Sequence, residues 1–151
     1  MNINIRKMRE SEYALLNDFL YEAIFIPEGE EMPPKSIINV PELQVYVADF
    51  GRRKDDYCLV AEVDGAVAGA VWVRIMNDYG HIDDDTPSFA ISLYKEYRGC
   101  GIGTEMMKRM LSDLQERGYK RVSLSVQKAN YAVKMYQRVG FEIVDENEEE
   151  Y

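Results

Sequence analysis

The chain has 151 residues, of which 46% are hydrophobic and 30% are charged, as in one ordinary soluble domain. Its net charge of −9 argues against nucleic acid as a partner, because nucleic-acid binding depends on neutralising phosphate charges. No apolar run approaches the roughly 20 residues that a membrane span requires, and the two cysteines and single His81 match no metal-binding spacing. We therefore expect a single cytoplasmic domain over residues 1–151, with no membrane partner and no metal.

The first 52 residues predict one strand followed by two helices. The segment NINIRKM (2–8) alternates apolar and polar residues as a strand does. SEYALLNDFLYEAIF (11–25) repeats apolar residues at helical spacing, with Ser11 as its N-cap. PELQVYVADFGR (41–52) also predicts a helix, which ends near Gly51. Prolines break the chain between the two helices into a loop.

The middle of the chain predicts an antiparallel hairpin. The apolar segments YCLVAEV (57–63) and AVAGAVWVRIM (66–76) flank Asp64 and Gly65, a dipeptide typical of two-residue hairpin turns. Residues 77–87 follow as a polar loop.

The second half alternates strands with helices. The segment GTEMMKRMLSDLQERG (103–118) predicts a helix that ends at Gly118, and its apolar face is formed by Ile102, Met106, Met110, Leu111 and Leu114. The other predicted strands are SFAISLY (88–94), RVSLSV (121–126) and FEIV (141–144). The other predicted helix is NYAVKMYQRVG (130–140), which is capped by Asn130. This order predicts a mixed sheet with helices on its faces, whose strands 88–94 and 121–126 run parallel.

Three glycines occur within five positions of the stretch EYRGCGIGTEMM (96–107), between a predicted strand and a predicted helix. A dinucleotide fingerprint does not fit, because the sixth position counted from Gly99 is Thr104 rather than glycine. A P-loop does not fit either, because the required lysine is missing. Successive backbone N–H groups at a helix N-terminus still form a site for a phosphate or pyrophosphate. The alternative is a tight strand-to-helix turn that binds no ligand.

Two segments resemble the cofactor motifs of the GNAT superfamily of N-acetyltransferases. RGCGIG (98–103) resembles the signature R/Q-x-x-G-x-G/A. NYAVKMYQRVGFE (130–142) resembles the second motif, in which an asparagine precedes a helix that carries a tyrosine and ends in Gly-Phe. The resemblance covers residues 88–142. It implies an α/β (α+β) fold with a GNAT-like central mixed, largely antiparallel sheet of about six or seven strands, a parallel β-α-β cofactor unit and helices on both faces.

The resemblance also implies an activity. The chain would be an N-acetyltransferase that transfers an acetyl group from acetyl-CoA, its co-substrate, to a primary amine of a small molecule or peptide. The amine would attack the thioester directly in a ternary complex, without a metal. The alternative is an acyl-CoA-binding regulatory or sensor module without turnover. Dimers are common in the resembling family, so a homodimer is a possible assembly.

By position in the motifs, the resemblance assigns two catalytic contacts. Tyr136 would return a proton to the departing thiolate, and the backbone N–H of Leu93 would donate to the thioester carbonyl oxygen. Cys100 lies at a variable position of the signature, so we expect no nucleophilic role for it. The residues implied in cofactor binding are Leu93, Arg98, Gly99, Cys100, Gly101, Ile102, Gly103, Thr104, Asn130, Val133 and Tyr136.

The general base is not specified by either motif. An ammonium acceptor must lose a proton before it attacks, and Asp83 is the candidate base for that step. His81, Asp85 and Glu62 are alternatives, as is a water chain or bulk solvent.

The acceptor side is expected mainly within residues 10–50 and 76–87, and the cofactor side within 88–142. The predicted substrate-binding residues are Tyr21, Glu22, Phe25 and Asp78. The resembling fold commonly ends with a further strand, whereas only DENEEEY (145–151) follows the last predicted strand here. We therefore expect that strand to be very short, absent or supplied by another subunit.

Overall fold

The structure is a computed structural model that describes residues 2–27, 29–76 and 83–151. Its β-strands are β1 (Ile3–Lys7), β2 (Tyr57–Val63), β3 (Ala66–Arg74) and β4 (Ser88–Leu93). Its α-helices are α1 (Leu16–Glu22), α2 (Pro41–Gln44), α3 (Ile102–Glu116) and α4 (Ala132–Arg138). Short 3₁₀ helices occur at Glu10–Leu15, Lys35–Asn39 and Lys95–Tyr97. None of the described helices is long and apolar enough to cross a membrane.

The four strands form one antiparallel sheet in the order β1-β2-β3-β4. The hairpin between β2 and β3 turns at the predicted dipeptide, where Asp64 and Gly65 have φ values of 51° and 87°. Two successive left-handed residues are what a type I′ turn requires, and this turn matches the twist of the flanking strands. The predicted hairpin is therefore confirmed.

Helices cover both faces of the sheet, as predicted for this fold class. α3 packs on one face, and the buried residues that it contributes are Ile102, Gly103, Met106, Met107, Met110 and Leu114. Leu111, predicted on the apolar face, is only half-buried, whereas Met107 is fully buried. α1 packs on the opposite face, where Leu16, Phe19 and Leu20 join a second core.

The predicted count of six or seven strands is wrong, because the structure has four within the described residues. Segments 121–126 and 141–144 do not form strands, since regular ladders need consecutive backbone partners. The first of these segments makes one parallel bridge, Ser88 to Ser123, which confirms the predicted direction. It also meets the C-terminal residues, where Val126 and Tyr151 exchange N–H···O bonds of 3.3 and 2.9 Å.

The helix predicted at 41–52 is also shorter than expected. α2 ends at Gln44 and the chain continues in turns, because the buried Arg74 guanidinium draws the next carbonyl groups toward β3. Its Nη1 donates to Val45 O at 3.0 Å and to Ala48 O at 2.9 Å. Its Nη2 donates to the Asp56 carboxylate at 2.9 Å, and the two side chains are 1% and 0% exposed.

The first predicted helix forms as a 3₁₀ helix followed by α1. The predicted N-cap Ser11 lies inside the 3₁₀ helix, and Glu12 holds its N-terminus instead. Glu12 accepts the Arg9 N–H at 2.8 Å and both Nη groups of Arg6 at 2.8 Å. The hydrogen bonds from Arg6 are the main reason why the pKa of Glu12 falls to about 2.

Candidate cofactor and acceptor site

Backbone pairing between β4 and the segment 121–126 ends at Ser123, and the unpaired stretch beyond it, between β4 and residues 124–127, is called the gap here. The two are joined at the start of β4, where the Phe89 N–H donates to Ser123 O at 2.7 Å. Beyond this point, no backbone hydrogen bond joins β4 to the segment within the described residues. Backbone groups of a strand alternate between its two edges, so the amides of Ile91 and Leu93 face the gap as Phe89 does. An extended ligand arm can bind there as an added strand would.

A glycine turn lies beside this gap and leads into α3. Gly99 and Gly101 have left-handed backbones, with φ values of 77° and 81°. No described atom lies within 4 Å of the place where either glycine would carry a Cβ, so the turn is open on that side. The amides of residues 102–104 lie at the start of a 15-residue helix and have no intrahelical acceptor. This open turn fits the pyrophosphate of CoA, because free amides and the helix dipole both favour an anion.

Leu93 packs between two glycines at the end of β4. An ideal Cβ on Gly69 of β3 would lie only 2.5 Å from Leu93 Cδ2, whereas one on Gly103 would lie 3.6 Å from Leu93 Cδ1. Glycine at position 69 therefore allows β3 to approach the residue whose amide faces the gap. Gly69 was not predicted as a site residue, although an isolated glycine inside a strand signals a close approach.

Arg98 joins the glycine turn to α1 and to β4. Its Nε donates to Leu93 O at 3.0 Å, and its Nη2 donates to the Glu22 carboxylate at 2.9 Å and to Glu22 O at 3.2 Å. Glu22, predicted to bind substrate, is thus paired with a residue predicted to bind cofactor. Cys100 is exposed at the same turn.

α4 carries the predicted proton donor. The Asn130 Oδ1 accepts the Ala132 N–H at 2.9 Å, although the N-cap position is Tyr131, one residue later than predicted. The ring of Tyr136 is partly buried, with its centroid 5.9 Å from that of Phe141 in an edge-on contact. Burial raises the pKa of Tyr136 to about 12, so its hydroxyl is neutral at physiological pH.

Tyr136 and Val133 line a cavity of about 1040 Å³ between α3, α4, and segments 118–126 and 141–145. The lining includes Leu124 and Val126 of the segment that borders the gap, but no residue of β4 or of the glycine turn. Leu93 and Tyr136 do share a neighbourhood, because both side chains pack against the core beneath α3.

A smaller cavity, of about 630 Å³, lies on the predicted acceptor side, between residues 127–129 and the described residues of loop 24–33. Phe25, predicted to bind substrate, lines it together with four glutamates, Glu30, Glu31, Glu148 and Glu149. The hydroxyl of Tyr21 donates to Pro33 O at 2.6 Å and so fixes the loop on α1. Asp78, the fourth predicted residue, lies outside the described residues.

Asp83, the candidate base, is held by neighbours at the start of β4. Its carboxylate pairs with Arg121 and accepts the Asp85 N–H at 2.9 Å. A hydrogen bond from Thr86 is the main cause of its lowered pKa. A lower pKa weakens a general base, and Leu93 lies at the other end of the strand.

The alternative bases have the following surroundings. Glu62 forms an ion pair with Arg6 at 2.5 Å, and Asp85 is exposed. His81 lies outside the described residues. No group of three or more metal-ligating side chains occurs in the described part of the chain.

The chain is similar to known acetyltransferases over part of its length. An alanine N-acetyltransferase of ribosomal protein bS18 from Haemophilus influenzae is 32% identical over 62 residues, which are 41% of this chain and 42% of that protein. Acetyltransferase ECA0875 from Pectobacterium atrosepticum is 34% identical over 92 residues, 60% of each protein. The match thus spans less than two thirds of either relative.

The fold is shared with solved acetyltransferase structures. The PaiA N-acetyltransferase of Thermoplasma acidophilum, solved in complex with coenzyme A, has a TM-score of 0.67 at 19% identity, over 99% of this chain and 96% of that one. Residues 19–141 match the model of the acetyltransferase (GNAT) family. This match covers most of the chain and includes both the glycine turn and α4. The chain therefore belongs to the acetyltransferase (GNAT) family.

Proposed function

We propose that the chain transfers an acetyl group from acetyl-CoA to a primary amine of a small molecule or peptide, by direct attack in a ternary complex. The observation that carries the proposal is the gap between β4 and segment 124–127, which opens beside the glycine turn of α3. Acetyl-CoA, when bound, supplies an activated acetyl thioester. A relative named for acetylating an alanine of a ribosomal protein is consistent with an amine acceptor.

The backbone supplies the main contacts in this proposal. The amides of residues 102–104 would hold the pyrophosphate at the start of α3. The backbone of Ile91 would bind the pantetheine arm in the gap. The Leu93 N–H would donate to the carbonyl oxygen, on which negative charge develops during attack. Main-chain groups perform these roles, so the leucine side chain serves for packing.

Tyr136 would act as the proton donor in the proposed reaction. Its burial disfavours the phenolate, so the hydroxyl keeps its proton at neutral pH and can donate it to a departing thiolate. Asn130 and Val133 lie on the same helical segment and would contact the pantetheine arm.

We propose that the amine enters through the cavity beside loop 24–33. Phe25 offers an apolar wall, and the four lining glutamates outnumber the one lining lysine, Lys128, which favours a cationic acceptor. Tyr21 holds the loop that carries Phe25. Asp83 remains the predicted base, but its contacts with Arg121 and Thr86 favour a structural role. Solvent is the alternative proton acceptor.

Thiol release and calorimetry test the proposal together. Wild-type protein should bind CoA more tightly than ATP or NAD, and should release free thiol from acetyl-CoA only when an amine is added. If CoA binds but a broad panel of small amines and peptides releases no thiol, the chain is an acyl-CoA-binding module. If CoA does not bind, the proposed function is wrong. Sedimentation velocity separately tests the predicted homodimer.

A further inference from the structure

The Arg98 guanidinium links three parts of the site that are distant in sequence. It binds the carboxylate and the carbonyl oxygen of Glu22, 76 residues earlier, and the carbonyl oxygen of Leu93. Glu22 is the last residue of α1, so its carbonyl oxygen lacks an intrahelical donor. An arginine at that place satisfies the carbonyl and interacts favourably with the helix dipole.

The bond to Leu93 fixes one peptide unit at the gap. The Leu93 C=O and the Tyr94 N–H belong to the same planar peptide group, and that N–H donates to Ala68 O at 2.9 Å. Arg98 and β3 therefore hold this group from opposite sides. The amide that faces the gap belongs to the preceding peptide group, so its direction depends on the same fixed backbone.

We propose that Arg98 and Glu22 are positioning residues that couple the cofactor turn to the acceptor-side helix α1. The inference rests on the proposed function. Cofactor binding at the turn restricts the motion of the backbone that carries Arg98. Through its bonds to Glu22, Arg98 then restricts the motion of the end of α1, where the acceptor loop begins. Because coupling between two sites is reciprocal, acceptor binding should strengthen cofactor binding by the same factor.

The ion pair between Arg98 and Glu22 should affect the local structure rather than the stability of the whole fold. Its side chains are 37% and 24% exposed, so solvent screens part of the attraction. α1 is also anchored to β4 independently, because the Ser92 hydroxyl donates to Phe19 O at 2.6 Å. The Phe19 ring further packs on Tyr94 at 4.9 Å. Loss of the pair should therefore loosen only the C-terminal end of α1 and the adjoining peptide of β4.

Binding and hydrogen exchange test the coupling in the full chain. In Arg98→Ala and Glu22→Ala, we expect the Kd for CoA, measured with saturating amine, and the KM for the amine each to rise about three- to tenfold. In Arg98→Ala, the exchange rate of the Tyr94 amide should rise about fivefold or more, without any ligand, because its peptide group has lost one of its two anchors. Glu22→Ala keeps the bond from Arg98 to Leu93 O and should change that rate less. Glu22→Gln keeps an acceptor oxygen and should retain part of the coupling. Arg98→Lys should not restore it, because one ammonium lacks the planar fork that makes both contacts.

Arg109→Ala provides the matched control, because it breaks the exposed ion pair of Arg109 with Asp113, 3.2 Å long, on the surface of α3. This variant should keep wild-type Kd, KM and Tyr94 exchange. The double variant Arg98→Ala/Glu22→Ala should be no weaker than Arg98→Ala alone, since the arginine side chain makes every contact of the pair. If CoA binds but the alanine variants keep the wild-type Kd, KM and Tyr94 exchange rate, the proposed coupling is overturned. A wild-type protein that binds no CoA would overturn the proposed function, and the coupling with it, whatever the exchange rate.

Discussion

Gly69 lies opposite Leu93 in the ladder of β3 and β4, and Gly69→Ala tests whether their close approach maintains the site. An ideal Cβ on Gly69 would lie 2.5 Å from Leu93 Cδ2 and 2.7 Å from the backbone oxygen of Ser92, whereas ordinary contacts begin at 3.4 Å. The leucine side chain can rotate away, but the backbone oxygen cannot. The substitution must therefore move the end of β4, where the Leu93 amide faces the gap.

The expected cost follows from the size of this overlap. Inserting a carbon into a well-packed site costs about 1–3 kcal/mol, and for a chain of this length each kcal/mol lowers Tm by about 2–4 °C. We therefore expect Gly69→Ala to lower Tm by roughly 5 °C. A displacement on the order of 1 Å at the reacting centre costs up to about 10²-fold in rate, so kcat should fall about tenfold or more.

Thermal denaturation followed by circular dichroism measures the first effect, and thiol release measures the second. Gly103→Ala is the control for stability, since its Cβ would meet the same leucine at an ordinary 3.6 Å. Its Tm should equal or exceed that of wild type, because alanine favours a helix over glycine. The double variant Gly69→Ala/Leu93→Ala should regain only part of the loss, as the contact with Ser92 remains. A Gly69→Ala variant with wild-type Tm and kcat would show that the close approach of β3 does not position the end of β4.

Three further predictions concern the buried ion pair, the proton donor and the first 3₁₀ helix. Asp56→Ala leaves the Arg74 guanidinium buried without its carboxylate, so urea denaturation should show a loss of about 3–5 kcal/mol in the free energy of unfolding; an unchanged midpoint would contradict this. Tyr136→Phe removes only a hydroxyl, so kcat should fall about 10²-fold while the Kd for CoA stays constant; an unchanged kcat would disprove the role as acid. The pKa of Glu12 is lowered from 4.5 to about 2, so its carboxylate stabilises the fold fully above pH 4.5. This stabilisation is lost as the pH falls through about 2. Glu12→Gln should therefore lower Tm at pH 7 and flatten the dependence of Tm on pH between 4.5 and 2; a slope equal to that of wild type would argue against this linkage.

Local sequence signals predicted the elements whose structure depends on neighbouring residues. The hairpin at Asp64 and Gly65 formed as expected, because left-handed backbone is set by the residue types themselves. α3 formed with Gly118 just after its end, since helical periodicity and a terminating glycine occur together in the sequence. The glycine turn at 99–101 was likewise recognisable from its motif.

The features that the sequence did not reveal depend on long-range contacts. Arg98 and Glu22 are 76 residues apart, and nothing in either segment indicates that they pair. The irregular pairing of segment 121–126 also could not be read from its sequence, because its pattern is that of a strand whether or not it finds partners beyond Ser123. The early end of α2 depends on a guanidinium from β3, so tertiary contacts overrode local propensity there.

The pairing of Val126 with Tyr151 has a consequence for the outer edge of segment 121–126. Backbone groups at Val122 and Leu124 share this edge by alternation, and they have no backbone partner among the described residues. Nearby, Ile143 and Val144 are 46% and 78% exposed. An open edge beside exposed apolar residues is a surface on which a strand from another molecule can add.

Colloidal behaviour should follow from this edge and from the charge together. At low ionic strength the net charge of −9 keeps molecules apart. At physiological salt the Debye length shrinks to about 8 Å, and the repulsion no longer reaches across a typical intermolecular distance. The same chain should therefore stay dispersed in dilute buffer and associate as salt is added, the opposite of an assembly held by surface ion pairs.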